Sequence, residues 1–241
     1  MKLPYQKSLV LNLGIAALLF GTAGVSRAQS VLYSARGANA STQSVFGYAQ
    51  QLTLNGPVSS YSLSAMTFGI NIADPNTGFA LFLDFYSGAD LSSSSTNALA
   101  TATFINELGF DIAAGTVGAP GNYNFTLTFP SFLVPSKTFT IAAALTLEDG
   151  SAYTTTDVAN SRYSLSAPTN GTSPGFVWAD ANQDGVFAGS EQTTFGGTFA
   201  NIRMDITAVA VPEPSTTAAF ALGLILLGAW QFRRRGVSAV E

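Results

Sequence analysis

Four stretches of this chain alternate apolar and polar side chains with a period of two, and that rhythm limits the fold more than any other feature. Tyr123, Phe125, Leu127 and Phe129 alternate with Asn124, Thr126 and Thr128. Phe139, Ile141, Ala143, Leu145 and Leu147 repeat the pattern, as do Ile202, Met204, Ile206 and Ala208 against Arg203, Asp205 and Thr207. Tyr61, Leu63 and Ala65 open a fourth stretch that runs through Phe68 to Ile72, with a bulge expected near Met66-Thr67. Successive strand side chains point to opposite faces, so this period buries one face and leaves the other wet. An amphipathic helix needs a period near 3.6 and would scatter these apolar residues around its whole circumference.

Phe79 to Tyr86 is a denser apolar run and reads as a central strand. Turn dipeptides punctuate the strands: Asn55-Gly56-Pro57, Asp74-Pro75-Asn76, Ser87-Gly88, Ala119-Pro120-Gly121, Asp149-Gly150 and Asn170-Gly171. Strands of this length at this spacing predict an all-β fold, an antiparallel two-sheet β-sandwich of jelly-roll-like type. Residues 91–106 are ambiguous: a Ser-rich loop, then a short helix or strand. No fixed-period repeat points to a solenoid or propeller.

The two ends are set apart from the fold. Lys2 and Lys7 precede an apolar core at 8–22, and Ser26-Arg27-Ala28 ends in small residues at the cleavage-determining positions. This is the pattern of a secretory signal peptide over 1–28, cleaved between Ala28 and Gln29. The exported domain is then 29–210, long enough for one sizeable core. At the other end, Pro212 and Pro214 fix two backbone angles and remove two amide donors, with Glu213 between them. That segment is stiff and extended and cannot continue a sheet. No charged residue follows until Arg233-Arg234-Arg235, so 216–232 reads as a membrane helix. At about 1.5 Å per residue it just reaches across the hydrocarbon core. The arginines place 236–241 in the cytoplasm and the domain outside.

The order Val211-Pro212-Glu213-Pro214-Ser215, short apolar helix, arginine cluster, end of chain resembles the PEP-CTERM sorting signal of Gram-negative bacteria over 211–235. The resemblance implies recognition by an exosortase after passage through the general secretion machinery. It implies transient anchoring through the C-terminal helix, processing near Pro212, Glu213 and Pro214, and delivery to the cell surface or extracellular matrix. It also implies an association with exopolysaccharide and biofilm, and the domain is similar to the sandwiches such proteins carry.

Charge and composition narrow the chemistry of 29–210. Four bases stand against twelve acids, a net of −8, so nucleic acid is not an expected partner. The chain has no cysteine and no histidine, which removes Ser-His-Asp, Cys-His and Cys/His zinc chemistry. No enzymatic activity is expected. The rival is a surface hydrolase with two carboxylates drawn from Glu107, Glu148 and Glu191, converging in a cleft. A second rival is a carbohydrate-binding module in which Tyr61, Tyr86, Tyr153, Tyr163 or Trp178 stacks on sugar rings.

The sharpest internal motif is Asp180-Ala-Asn182-Gln-Asp184-Gly185-Val186 with Glu191 at position twelve. It fits the spacing of a calcium loop: side-chain oxygens from Asp180, Asn182 and Asp184, the Val186 carbonyl, and Glu191, with Gly185 at the sharp turn. Phe176-Val177-Trp178 before it and Thr193-Thr194-Phe195 after it read as strands rather than helices. The alternative is a solvated Asp/Asn/Gly hairpin loop. Three acids predict weak affinity, on the order of 0.1–1 mM.

Overall fold

A computed structural model describes residues 29–37, 40–43, 47–92, 94–147, 158–180, 182 and 184–211, with 223, 224 and 227 helical. The expected signal peptide with Ala28, the Pro212-Glu213-Pro214 motif, the arginine cluster at 233–235, Glu148 and Tyr153 lie outside the described residues, as does most of the expected helix at 216–232. Among the described residues no helix is long and apolar enough to cross a membrane.

Among the described residues there are thirteen strands: β1 (Ser30–Ser34), β2 (Ala40–Gln43), β3 (Gly47–Thr53), β4 (Ser60–Ile72), β5 (Phe79–Ser87), β6 (Thr103–Ile112), β7 (Gly121–Val134), β8 (Thr138–Leu147), β9 (Ala159–Ser164), β10 (Val177–Asp180), β11 (Gln192–Thr193), β12 (Asn201–Ile202) and β13 (Met204–Val211). One sheet has seven strands in the order β1-β13-β4-β9-β12, with β2 on β9 and β7 on β4; the other has six, β11-β10-β3-β8-β5-β6. Their pairings are antiparallel. The chain changes sheets at most connections, as a jelly-roll-like sandwich does.

The core lies between the sheets. Tyr48 of β3 stacks on Phe68 of β4 at 6.4 Å and meets the edge of Tyr163 of β9 at 5.6 Å. Phe85 of β5 meets the edge of Phe132 of β7 at 4.9 Å. Such ring pairs are worth about 0.5–1.5 kcal/mol each beyond their burial. Burial holds the Tyr48 and Tyr163 hydroxyls well above the ordinary tyrosine range, so both stay neutral; the Ser161 hydroxyl donates to Tyr48.

One polar bridge crosses this apolar layer. Gln50, fully buried on β3, donates through Nε2 to Asn201 Oδ1 at 2.7 Å and Tyr33 Oη at 3.3 Å. Its Oε1 accepts the Ile202 amide at 2.7 Å. A buried amide without partners costs stability, and here every strong donor is answered.

Three local expectations shift. The β4 bulge falls at Ser64, the one extra residue β4 has over β13 between Leu63 and Ala65, not at Met66-Thr67. Against β7 the extra residues are on the partner strand, where Phe129, Pro130 and Ser131 face this point and Pro130 cannot donate to the ladder. The 202–208 alternation holds in burial, but the single strand expected there is split at Arg203: β12 pairs with β9, while β13 pairs with β4 and β1. The described residues of 88–102 have no strand or helix, and β6 begins at Thr103. The Asn170-Gly171 turn forms as expected. Gly171 has φ +72°, and a Cβ there would sit 2.6 Å from the Thr53 carbonyl oxygen.

Candidate functional site

The calcium-type loop is a hairpin connection. β10 and β11 pair through Val177↔Thr193 and Trp178↔Gln192, so the flanks are strands as the sequence predicts. Asp180 is buried at the end of β10, and its carboxylate accepts the amides of Asp184 at 3.1 Å and Gly185 at 3.0 Å. Asn182 Oδ1 also accepts the Asp184 amide at 3.2 Å, and Asn182 Nδ2 donates to Asp184 Oδ2 at 3.0 Å. Asp184 Oδ1 accepts the Val186 amide at 2.8 Å. Positive φ at Gly185 (+75°) lets the chain turn back over these groups. Asp180, Asn182, Asp184 and Val186 are thus drawn together. Glu191 is not: its Oε2 accepts the Ala188 amide at 3.0 Å, across a 3-10 turn at Gly189–Glu191. Among the described residues no three acidic side chains stand close enough together to hold a metal ion.

The loop also has a packing role. On the outer face of the six-stranded sheet, Trp178, Ala49, Ala142, Ala98 and Phe187 form a second small core. Ala98 N donates to Phe187 O at 2.7 Å, and Gly189 N to Ser95 O at 2.8 Å, so the 88–102 segment and the loop close over Trp178 together. Burying a ring of this size is worth roughly 4–6 kcal/mol by area.

Of the candidate carboxylates, Glu148 lies outside the described residues and Glu191 bonds the Ala188 amide. Glu107 of β6 lies directly opposite Asp84 of β5 on the open outer face of that sheet. Burial, then the charge of Glu107, raises the Asp84 pKa above the usual carboxylate range, and Tyr86 Oη donates to Asp84 Oδ2 at 3.3 Å. A shallow surface pocket of about 450 Å³ between 53–56 and 169–172 has Lys137 as its one charged residue.

Three of the aromatic side chains considered for sugar stacking are fully buried: Tyr61 and Tyr163 share their strand faces with the inter-sheet core, and Trp178 is covered on the outer face by the second small core. Tyr86 alone lies half-buried on an outer face, edge-on to Phe104 at 5.7 Å. Phe104 and Phe82 join it there, 53% and 37% exposed. Sequence reasoning missed both: Phe104 falls in the ambiguous 91–106 stretch, and Phe82 is embedded in an otherwise apolar run.

At the carboxyl end, β13 runs to Val211 between β1 and β4. Its last registered pair is Val211↔Ser60, and Pro212 follows at once. Proline cannot extend the ladder, so the sandwich and the tail meet at a defined boundary. A folded all-β domain ending directly on a stiff proline-flanked motif and an apolar, arginine-terminated tail is the build of an exported protein with a C-terminal sorting signal. The family model of the PEP-CTERM protein-sorting motif matches residues 210–235. The chain therefore carries that motif, which implies export and exosortase sorting to the cell surface. No curated protein matches the chain.

Proposed function

We propose that the sandwich is a non-catalytic surface or matrix module, released from its tail by an exosortase and acting in exopolysaccharide organisation. The observation that carries this reading is the coincidence of two boundaries. The last strand ends at Val211, and the sorting motif spans 210–235. Processing near Pro212 to Pro214 would free the domain without removing a strand from either sheet. The setting of Asp84 and Glu107 directly opposite each other on an outer sheet face supports binding over hydrolysis, since paired-carboxylate catalysis needs a substrate-enclosing cleft. Weak calcium binding at 180–191 belongs to the same reading, as a stiffener of the cap over Trp178; Glu191 would have to leave Ala188 to complete the site. A carbohydrate-binding variant is favoured by exposed Phe82 and Phe104 with half-buried Tyr86 on one sheet face. The test is a glycan-array screen of the purified protein beside assays on polysaccharide substrates. Glycan retention without turnover supports the proposal, and release of reducing ends would replace it with the hydrolase.

A further inference from the structure

The mature domain's few bases are not spread evenly. Arg36, Arg162 and Arg203, three of the four in 29–210, gather on the outer face of the seven-stranded sheet. Arg162 points outward because its neighbours Ser161 and Tyr163 are buried in the core. Backbone pairing brings Arg203 beside it, with Arg203 N donating to Arg162 O at 2.8 Å. The Arg203 stem lies flat on Gly69 of β4, where a Cβ would stand 3.0–3.1 Å from its carbons. Arg203 Nη1 donates to the Gly37 carbonyl at 2.8 Å.

Among the described residues no acid forms an ion pair with Arg162 or Arg203, although Asp205 Oδ1 on the same face is also buried without a partner. Asp205, the acid on the same face, bonds Arg36 at 2.8 Å, and that is the one ion pair among the described residues. The Nε–H groups of both Arg162 and Arg203 are shielded from solvent and have no hydrogen-bond partner. Burial, then the charge of Arg203, lowers the Arg162 pKa. Two adjacent guanidinium groups with orphaned Nε donors cost stability. An incoming anion would supply the missing opposite charge, and guanidinium forks match carboxylate and sulfate oxygens.

The setting is the outer sheet face. Across β4 from Arg203, exposed Asn122, Asn124 and Thr126 of β7 lie opposite Asn71, Gly69 and Thr67, with Asn122 bonded to Asn71 at 2.9 Å and Thr126 to Thr67 at 3.3 Å. Amides and hydroxyls repeating at strand spacing suit the hydroxyls of an extended sugar chain. We propose that Arg162 and Arg203 bind the anionic groups, carboxylate or sulfate, of an acidic polysaccharide lying across this face. The proposal rests on the polysaccharide reading above and adds the charge class and the face.

The test is affinity electrophoresis of the full chain in mild detergent through gels holding polygalacturonate, dextran sulfate or neutral dextran. Retardation by one or both acidic polymers but not by dextran is expected, and the stronger of the two identifies the group. Arg162→Gln and Arg203→Gln should each weaken it about tenfold, the scale of a lost charged hydrogen bond. Arg162→Gln should melt no lower than the parent, an outcome a structural arginine would not give. Undiminished retardation of folded Arg162→Gln, or equal retardation by neutral dextran, overturns the proposal. If Arg162→Gln does not fold, Arg162→Lys, which keeps the charge and loses the fork, takes its place under the same criterion. Should no polymer retard the parent, the polysaccharide reading and this proposal both fall. Retardation by dextran alone sinks only the anionic site.

Discussion

Replacing Gln50 with leucine is the sharpest test of how the two sheets are joined. The side chain spans the core and makes three hydrogen bonds, to Asn201, Tyr33 and the Ile202 amide. Leucine fills a similar volume and is content in an apolar layer, so no large cavity term enters. The loss is polar. The Ile202 N–H would be left buried and unpaired, at about 1–3 kcal/mol. Asn201 keeps its bonds with Ser173 and with the Ser166 carbonyl, so the side-chain part of the loss is nearer 1 kcal/mol. The sum is about 2–4 kcal/mol, and in a domain of this size that lowers Tm by roughly 6–12 °C. Urea and thermal unfolding followed by circular dichroism read the change. A Gln50→Leu protein within about 0.5 kcal/mol of the parent would refute the view that this bridge is a satisfied, stabilising network.

Calcium at about ten times its Kd should stabilise the protein by about 1.4 kcal/mol, a Tm rise of a few degrees, and Asp184→Ala should remove the rise; differential scanning fluorimetry with and without the ion checks both. Asp84 gives a pH signature. Its folded pKa is raised, so its ionisation costs stability above that pKa, and the cost disappears as pH falls below the unfolded value. Asp84→Asn should therefore raise Tm at pH 7, relieving a directly opposed like-charge pair worth about 0.2–1 kcal/mol, and have little effect near pH 3; melting curves at the two pH values decide it.

The period-two pattern carried the fold class because burial of one face leaves a mark on every second residue. Which strands pair left no such mark. β1 lies against β13, and β4 against β13, across most of the chain length. Arg162 and Arg203 become neighbours only through the β9–β12 pairing, which no local window contains. Parity did hold information about the aromatics: Tyr61 is in phase with Leu63, and both are buried. Trp178 is different, since it packs on the outer face under a cap made by two irregular segments. The calcium-type loop was legible in spacing and in its β context. That Glu191 would turn to Ala188 was not, because a 3-10 turn of three residues has no clear sequence signature.

The account stands on the tail being read outside the cytoplasmic membrane, and mass spectrometry of the protein's C-terminus in the surface fraction tests that most directly. The expected product ends close to Pro212–Ser215 and lacks the apolar segment and the arginines, while a variant with Pro212, Glu213 and Pro214 replaced by alanine stays full-length in the inner membrane. Surface protein intact to Glu241, or unchanged delivery of the triple variant, would contradict the account.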